Sequence, residues 1–201
     1  MTSIETDIAI RPMAPSDIAR VAALQVAFLE GSILTDLGPR FLTRFHTAAL
    51  DLQSTRAFVA AGSGADLAGF VVGSIDVDAF NHHVKPRILL PLAGSLLPPR
   101  RWRLAWSVAR SLTEAEPQPH VPAELLLLVV DSRVRRRGIG LQLLAALEAS
   151  FAAEQVSRYR VAVRSHLAVA RLFYRASGFE LEQELTVLGH PMTYLTKRVV
   201  A

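Results

Sequence analysis

From Glu124 to Val130 the chain reads Glu-Leu-Leu-Leu-Leu-Val-Val, and a turn with four arginines and two glycines follows at once. A short, nearly continuous aliphatic run of this kind marks a central strand buried on both faces. Gly138-Ile139-Gly140 then opens a helical pattern that continues to about Gln155. A strand that feeds a glycine-bearing turn into a helix gathers several unpaired backbone N–H groups at one point. The helix dipole adds partial positive charge there. At Gly138 and Gly140 a Cβ would stand in the way of a ligand approaching the backbone. Arg133, Arg135, Arg136 and Arg137 supply guanidinium forks suited to phosphate oxygens.

Taken alone, this turn supports two readings, a phosphate cradle and a solvated run of charge. It lacks the Gly-Lys-Ser/Thr of a P-loop and the third glycine of a dinucleotide fingerprint. The placement of charge bears on the choice. The net charge is +4, but residues 1–100 carry −1 and residues 101–201 carry +5. Arginine rather than lysine makes up nearly all of the basic total, which codon bias explains; the position within the chain it does not explain. Basic residues confined to one tight turn suit a compact di- or triphosphate. An extended nucleic acid calls for a basic stripe interleaved with aromatics, and aromatics are 7% of this chain. Nucleic acid is therefore not the expected partner.

Other classes fall away on composition. The chain has no cysteine, which excludes disulfides, thiolate metal sites and a cysteine nucleophile. The adjacent His82-His83 has no third ligand spaced nearby, a poor metal signature, so no metal is expected. The N-terminus carries two acids and no apolar core, and no run approaches the ~20 residues of a membrane span. The expectation is a cytoplasmic protein without stable membrane insertion. The 201 residues suit one domain, taken as 1–201.

Along the rest of the chain, Ile8–Arg11 alternates as a strand and Ser16-Asp17 offers an N-cap to a helix over 18–30. Gly38-Pro39 opens a second helix. Two apolar runs, 57–61 and 67–75, flank a glycine-rich turn as a hairpin. Residues 80–122 hold seven prolines and read as an irregular insert with one amphipathic helix at 101–112. After the central strand and its helix come a strand at 159–163, a helix at 167–176 stopped by Gly178, and a hairpin of 179–187 with 192–199. The order β-α-α-β-β-insert-β-α-β-α-β-β gives a mixed α/β domain whose strands cannot all be parallel.

Two blocks carry a family resemblance. Glu124 to Val130 followed by Arg135-x-x-Gly138-x-Gly140 resembles the acyl-CoA motif of the GNAT superfamily of N-acetyltransferases. Ala170-x-x-Phe173-Tyr174-x-x-x-Gly178-Phe179 is similar to that family's later helix, and the element order agrees over nearly the whole chain outside 80–122. The resemblance implies a mainly antiparallel central sheet flanked by helices. It implies acetyl-CoA as acyl donor, held by Val129, Val130, Arg135, Arg136, Arg137, Gly138, Ile139 and Gly140, with the strand ending at Val130 splayed from its neighbour. It also implies an amine of a small metabolite or peptide as acceptor, with a homodimer compatible. Tyr174 matches the usual general acid, a phenol able to protonate a departing thiolate; the competing reading is a Tyr packed between Phe173 and Phe179. Glu124 matches a carboxylate that deprotonates the amine, often through water; its competing reading is a surface carboxylate at a strand end. His166 could assist. Leu167 stands where the family commonly has Asn, and Ser132 where Pro is frequent. Without cysteine, the amine attacks directly.

Two other classes stay open on sequence. One is a non-catalytic acyl-CoA sensor or interaction module that keeps the turn. The other is a peripheral membrane protein using the apolar 88–97 segment beside Arg100–Arg103.

Overall fold

A computed structural model describes residues 8–29, 35, 37–62, 66–84, 87, 121–187 and 189–199. Seven strands form one sheet: β1 (Ala9–Pro12), β2 (Thr55–Ala61), β3 (Leu67–Ser74), β4 (Ala123–Val130), β5 (Arg158–Arg164), β6 (Glu180–Val187) and β7 (His190–Arg198). Their order is β1-β2-β3-β4-β5-β7-β6. Only β4 and β5 are parallel neighbours; the other pairs are antiparallel. The mixed, mainly antiparallel architecture expected from the sequence is thus present.

Helices cover both faces. On one side lie α1 (Ile18–Phe28) and α2 (Pro39–Leu50), whose Val21, Ala22, Phe41, Leu42 and Phe45 pack with Val59, Phe70, Val72, Leu127 and Val129. On the other lies α3 (Ile139–Ala153), whose Leu143, Leu147 and Phe151 pack with Val71, Ala123, Leu125, Tyr159 and Val161. The helix α3 presses close because β3 offers glycines beneath it. A Cβ on Gly73 would stand 2.9 Å from Leu147 Cδ1 and from Phe151 Cζ. A fourth helix, α4 (Ala168–Ala176), ends at Gly178, which takes φ +87° as a left-handed cap.

Three expectations need correction. The strand β4 is not buried throughout: Ala123, Leu125, Leu127 and Val129 are buried, but the residues between them are partly exposed. A bulge accompanies this, since Val72 pairs with Leu127 and Gly73 with Leu125, leaving Leu126 as the extra residue. The bulge changes which side chains face which helix layer. Ala123 and Leu125 lie in the α3 core, whereas Leu127 and Val129 lie in the α1–α2 core. Second, the insert does not begin irregular: residues 77–84 are helical, with Val77, Phe80 and Val84 buried. The expected helix at 101–112 and the apolar 88–97 segment lie outside the described residues. Third, Asp17 does not cap α1. Its carboxylate accepts from Ala14 N (2.8 Å) and from both ends of the Arg11 guanidinium, so it closes the turn before the helix.

Candidate active site

The turn between β4 and α3 is built by Asp131. Its buried carboxylate accepts the Arg133 backbone N–H at 2.8 Å and the Arg133 guanidinium at 2.6–3.1 Å, holding a short 3-10 turn over Ser132–Val134. That guanidinium keeps the Asp131 carboxyl below the usual carboxylate range. Arg133 is therefore already engaged, contrary to the expectation that four arginines face a ligand. Arg135 donates from Nε to the Val130 carbonyl at 3.2 Å. No protein partner occupies the guanidinium of Arg136 or Arg137 among the described residues.

The backbone then makes two left-handed steps, Arg136 at φ +62° and Gly138 at φ +78°. Gly138 is the N-cap of α3, and no side chain caps it. The first intrahelical bond runs from Gln142 N to Gly138 O. The N–H groups of Ile139, Gly140 and Leu141 are consequently left for a ligand or water. A Cβ at Gly138 would meet nothing within 4 Å, so the positive φ is what calls for glycine there. Gly140 differs: a Cβ would lie 3.3 Å from the Phe173 ring, so packing constrains it as well. Ile139 is buried and offers the turn its backbone N–H rather than its side chain.

The strands β4 and β5 part above this region's floor. They pair through Ala123↔Tyr159, Glu124↔Arg160 and Leu125↔Val161 and no further, although β4 continues to Val130 and β5 to Arg164. Backbone groups of Leu126–Val130 that face β5 are left without a strand partner, and the opening leads toward the start of α3. This is the splay that the sequence resemblance implied.

Tyr174 and Glu124 flank the split from opposite faces. Tyr174 on α4 is 7% exposed and stands edge-on to Phe173 and Phe179, in the α3 core. Its hydroxyl has no hydrogen-bond partner among the described residues, yet it is not among the fully enclosed unpaired atoms. Burial pushes this phenol's pKa up. Glu124 lies between Ala123 and Leu125, both in the α3 core, so it projects from the other face. Arg160 lies likewise between Tyr159 and Val161 and donates from Nε to Glu124 Oε2 at 2.8 Å. Burial raises the Glu124 carboxyl and the Arg160 charge opposes that rise. Glu124 is accordingly not the loose strand-end carboxylate that the sequence left open.

Arg160 escaped sequence reasoning. The alternation of Arg158, Arg160, Ala162 and Arg164 against Tyr159, Val161 and Val163 reads as a solvent face, yet Arg160 is buried over the Tyr194 ring. Its signal would have been the parallel register that sets it opposite Glu124, which only the fold supplies. The structure does not join every candidate to this site. His82 Nδ1 donates locally to the Asp78 carbonyl at 2.8 Å, and no group of three or more His, Cys, Asp or Glu among the described residues could hold a metal. His166 lies in the β5–α4 turn, where its carbonyl accepts Ala168 N. Leu167 is the N-cap of α4, with no side-chain cap bond. No helix among the described residues is long and apolar enough to cross a membrane.

A family model for an acetyltransferase (GNAT) domain matches residues 114–195, which span β4, the basic turn, both flanking helices and Tyr174. No curated protein matches the chain by sequence. Solved structures share the fold. A Desulfovibrio desulfuricans protein assigned to the GNAT family of acetyltransferases superposes with a TM-score of 0.63 at 15% identity, covering 96% of this chain and 99% of that one. A ribosomal-protein-alanine N-acetyltransferase from Brucella melitensis gives 0.62 at 15% identity over 94% and 99%. A PaiA N-acetyltransferase from Thermoplasma acidophilum, solved with coenzyme A, gives 0.60 at 15% identity over 94% and 98%. Residues 114–195 are thus similar to a GNAT acetyltransferase domain, and the chain shares its fold with solved acetyltransferases over 94–96% of its length.

Proposed function

We propose that this protein is an N-acetyltransferase that moves an acetyl group from acetyl-CoA directly to an amine of a small metabolite or peptide. The carrying observation is the pairing of an uncapped, glycine-opened helix N-terminus with a β4–β5 split whose two faces present Tyr174 and Glu124. The relative solved with coenzyme A shares this fold and supports the choice of donor.

Free N–H groups of Ile139, Gly140 and Leu141, with Arg136 and Arg137, suit a pyrophosphate in charge and geometry. Unpaired backbone groups of Leu126–Val130 suit the amide-bearing arm that would run along the split. Bound there, acetyl-CoA supplies an activated acyl carbon whose bond to sulfur breaks as the amine nitrogen attaches. Glu124, on the far face, takes the proton that an alkylamine near pKa 10.4 must lose to become a nucleophile. Tyr174, on the α3 face, holds a proton through the neutral range for the departing thiolate. The two groups approach from opposite sides, which fits transfer in a single complex without an acyl-enzyme. One domain spanning 1–201 carries the whole site.

The test is thiol release from acetyl-CoA across a panel of amino sugars, polyamines, amino acids and peptides, run beside thermal melts. Acetyl-CoA should raise the melting temperature by mass action while ATP and NAD do not. A rise in melting temperature with no thiol release for any amine would identify a sensor instead, and no rise at all would reject the CoA site.

A further inference from the structure

We infer that Arg160 is a positioning residue for the transfer, pinning one oxygen of Glu124 so that the other is left to receive the acceptor's proton. This rests on the reading of Glu124 as the base and extends it to a residue outside the family motifs.

The observation is the asymmetry of the pair. Nε and Nη2 of Arg160 both reach Oε2 of Glu124, each at 2.8 Å. Neither goes to Oε1, so the pair is not the two-oxygen fork that a structural Arg–carboxylate bridge favours. Glu124 Oε1 has no partner among the described residues and is not among the fully enclosed unpaired atoms. The carboxylate is thus held by one edge and open at the other.

Its surroundings make that hold rigid. Glu124 and Arg160 are direct register partners in the parallel pair, one step below the point where the strands part. The Arg160 side chain is 5% exposed and lies over the Tyr194 ring, its centre 5.7 Å away. Among the described residues, the other neighbours bring no competing charge. Ser74, across from Glu124 on β3, turns its hydroxyl to the Asp76 carbonyl. Arg158, two residues down β5, is committed to Glu182. Among the described groups, Arg160 is the one charge acting on Glu124. Burial favours the protonated acid, which is no base; the adjacent guanidinium keeps the ionised form available.

The test follows the Glu124 carboxyl by carbon NMR titration, assigned with Glu124→Gln, in the wild type, Arg160→Lys and Arg160→Met. It is joined to kinetics on whichever of spermidine, glucosamine or an alanyl peptide gives the fastest thiol release. In Arg160→Met the Glu124 titration and the acid limb of kcat/KM should move up together by about one pH unit or more. Arg160→Lys keeps the charge but not the double grip. Its titration should stay within about half a unit while kcat falls roughly tenfold or more and KM for acetyl-CoA holds within twofold. An unmoved titration in Arg160→Met, or wild-type kcat in Arg160→Lys, overturns the proposal. If Arg160→Met does not fold, the kcat and KM of Arg160→Lys decide it. Full activity in Glu124→Gln defeats the underlying base assignment, and the NMR shift then reports separately whether Arg160 controls the carboxyl.

Discussion

Gly140 at the start of α3 lies against the ring of Phe173 on α4, where an added Cβ would sit 3.3 Å from Cε2 and 3.4 Å from Cζ. The second glycine of the basic turn is therefore fixed by the neighbouring helix as well as by any ligand. Its backbone is ordinary helix, so Gly140→Ala brings no φ penalty, only this crowding. Ala's helix propensity, about 1 kcal/mol better than that of Gly, should offset most of this crowding in thermal denaturation, and Phe173→Leu in the same chain should relieve whatever loss remains. Equal losses in the single and double variants would show that Phe173 is not the obstacle.

Gly69 and Gly73 on β3 test how tightly the second core is closed. At Gly69 a Cβ would meet the Val129 carbonyl oxygen at 2.6 Å, a backbone atom of the strand that borders the split. At Gly73 it would meet the ends of Leu147 and Phe151 at 2.9 Å, and side-chain ends can turn away. Gly73→Ala should cost roughly 1–3 kcal/mol in denaturant titrations, and Gly69→Ala should cost more. The reverse order would mean that β4 yields more readily than the α3 side chains.

The arginines of the turn should separate by role. Arg133 is 82% exposed and bonded to Asp131, so Arg133→Ala should lower the melting temperature slightly and leave coenzyme A affinity within about twofold. Arg136→Ala or Arg137→Ala should each weaken coenzyme A binding by about fivefold to tenfold and flatten its dependence on salt. Calorimetric titration at two ionic strengths distinguishes them. Equal losses at all three positions would mean that the turn acts as one diffuse field.

Much of this architecture is legible in the sequence. Periodicity and the glycine and proline punctuation place every strand of the sheet and α1 to α4 to within a few residues, because each is a local pattern. The chemistry was less legible where it depended on neighbours far away in the chain. Nothing around Arg160 in sequence says that the parallel register sets it against Glu124, 36 residues earlier. Four clustered arginines look equivalent until Asp131 takes one of them. The bulge at Leu126 leaves no trace in an all-aliphatic run, since leucine fits either core. Prolines at 86, 91, 98 and 99 suggested irregular chain from residue 80, whereas the helix over 77–84 owes its place to Phe80 and Val84 entering the α2 core.

The pair of His46 on α2 and Gln25 on α1 predicts an acid sensitivity. His46 Nε2 lies 2.8 Å from Gln25 Oε1, with the ring edge-on to Phe45 and Phe70, and both polar residues are buried. Burial lowers the His46 pKa from 6.5 to about 4. The native state therefore stays neutral while the unfolded chain takes a proton below pH 6.5. Stability from this residue is intact above pH 6.5 and declines as pH falls toward about 4, by up to about 3 kcal/mol. Denaturant unfolding across that window should show the decline, and His46→Gln, which cannot titrate but can still pair with Gln25, should flatten it. An unchanged slope would place the acid sensitivity elsewhere.

Tyr174→Phe tests the proton donor. Removing the hydroxyl leaves the ring between Phe173 and Phe179 and removes no hydrogen bond among the described residues, so stability and coenzyme A affinity should change little. Turnover should fall by about 100-fold or more if the phenol protonates the thiolate. The pH profile makes the sign explicit. Burial raises the Tyr174 pKa above its ordinary 10, so the protonated, donating form persists upward in pH. The wild type should then show no alkaline loss of kcat from this group below about pH 10. A decline centred near pH 9 that disappears in Tyr174→Phe would mean that the phenol ionises more easily than its buried setting allows. Full turnover in that variant would return Tyr174 to the role of a packed core residue.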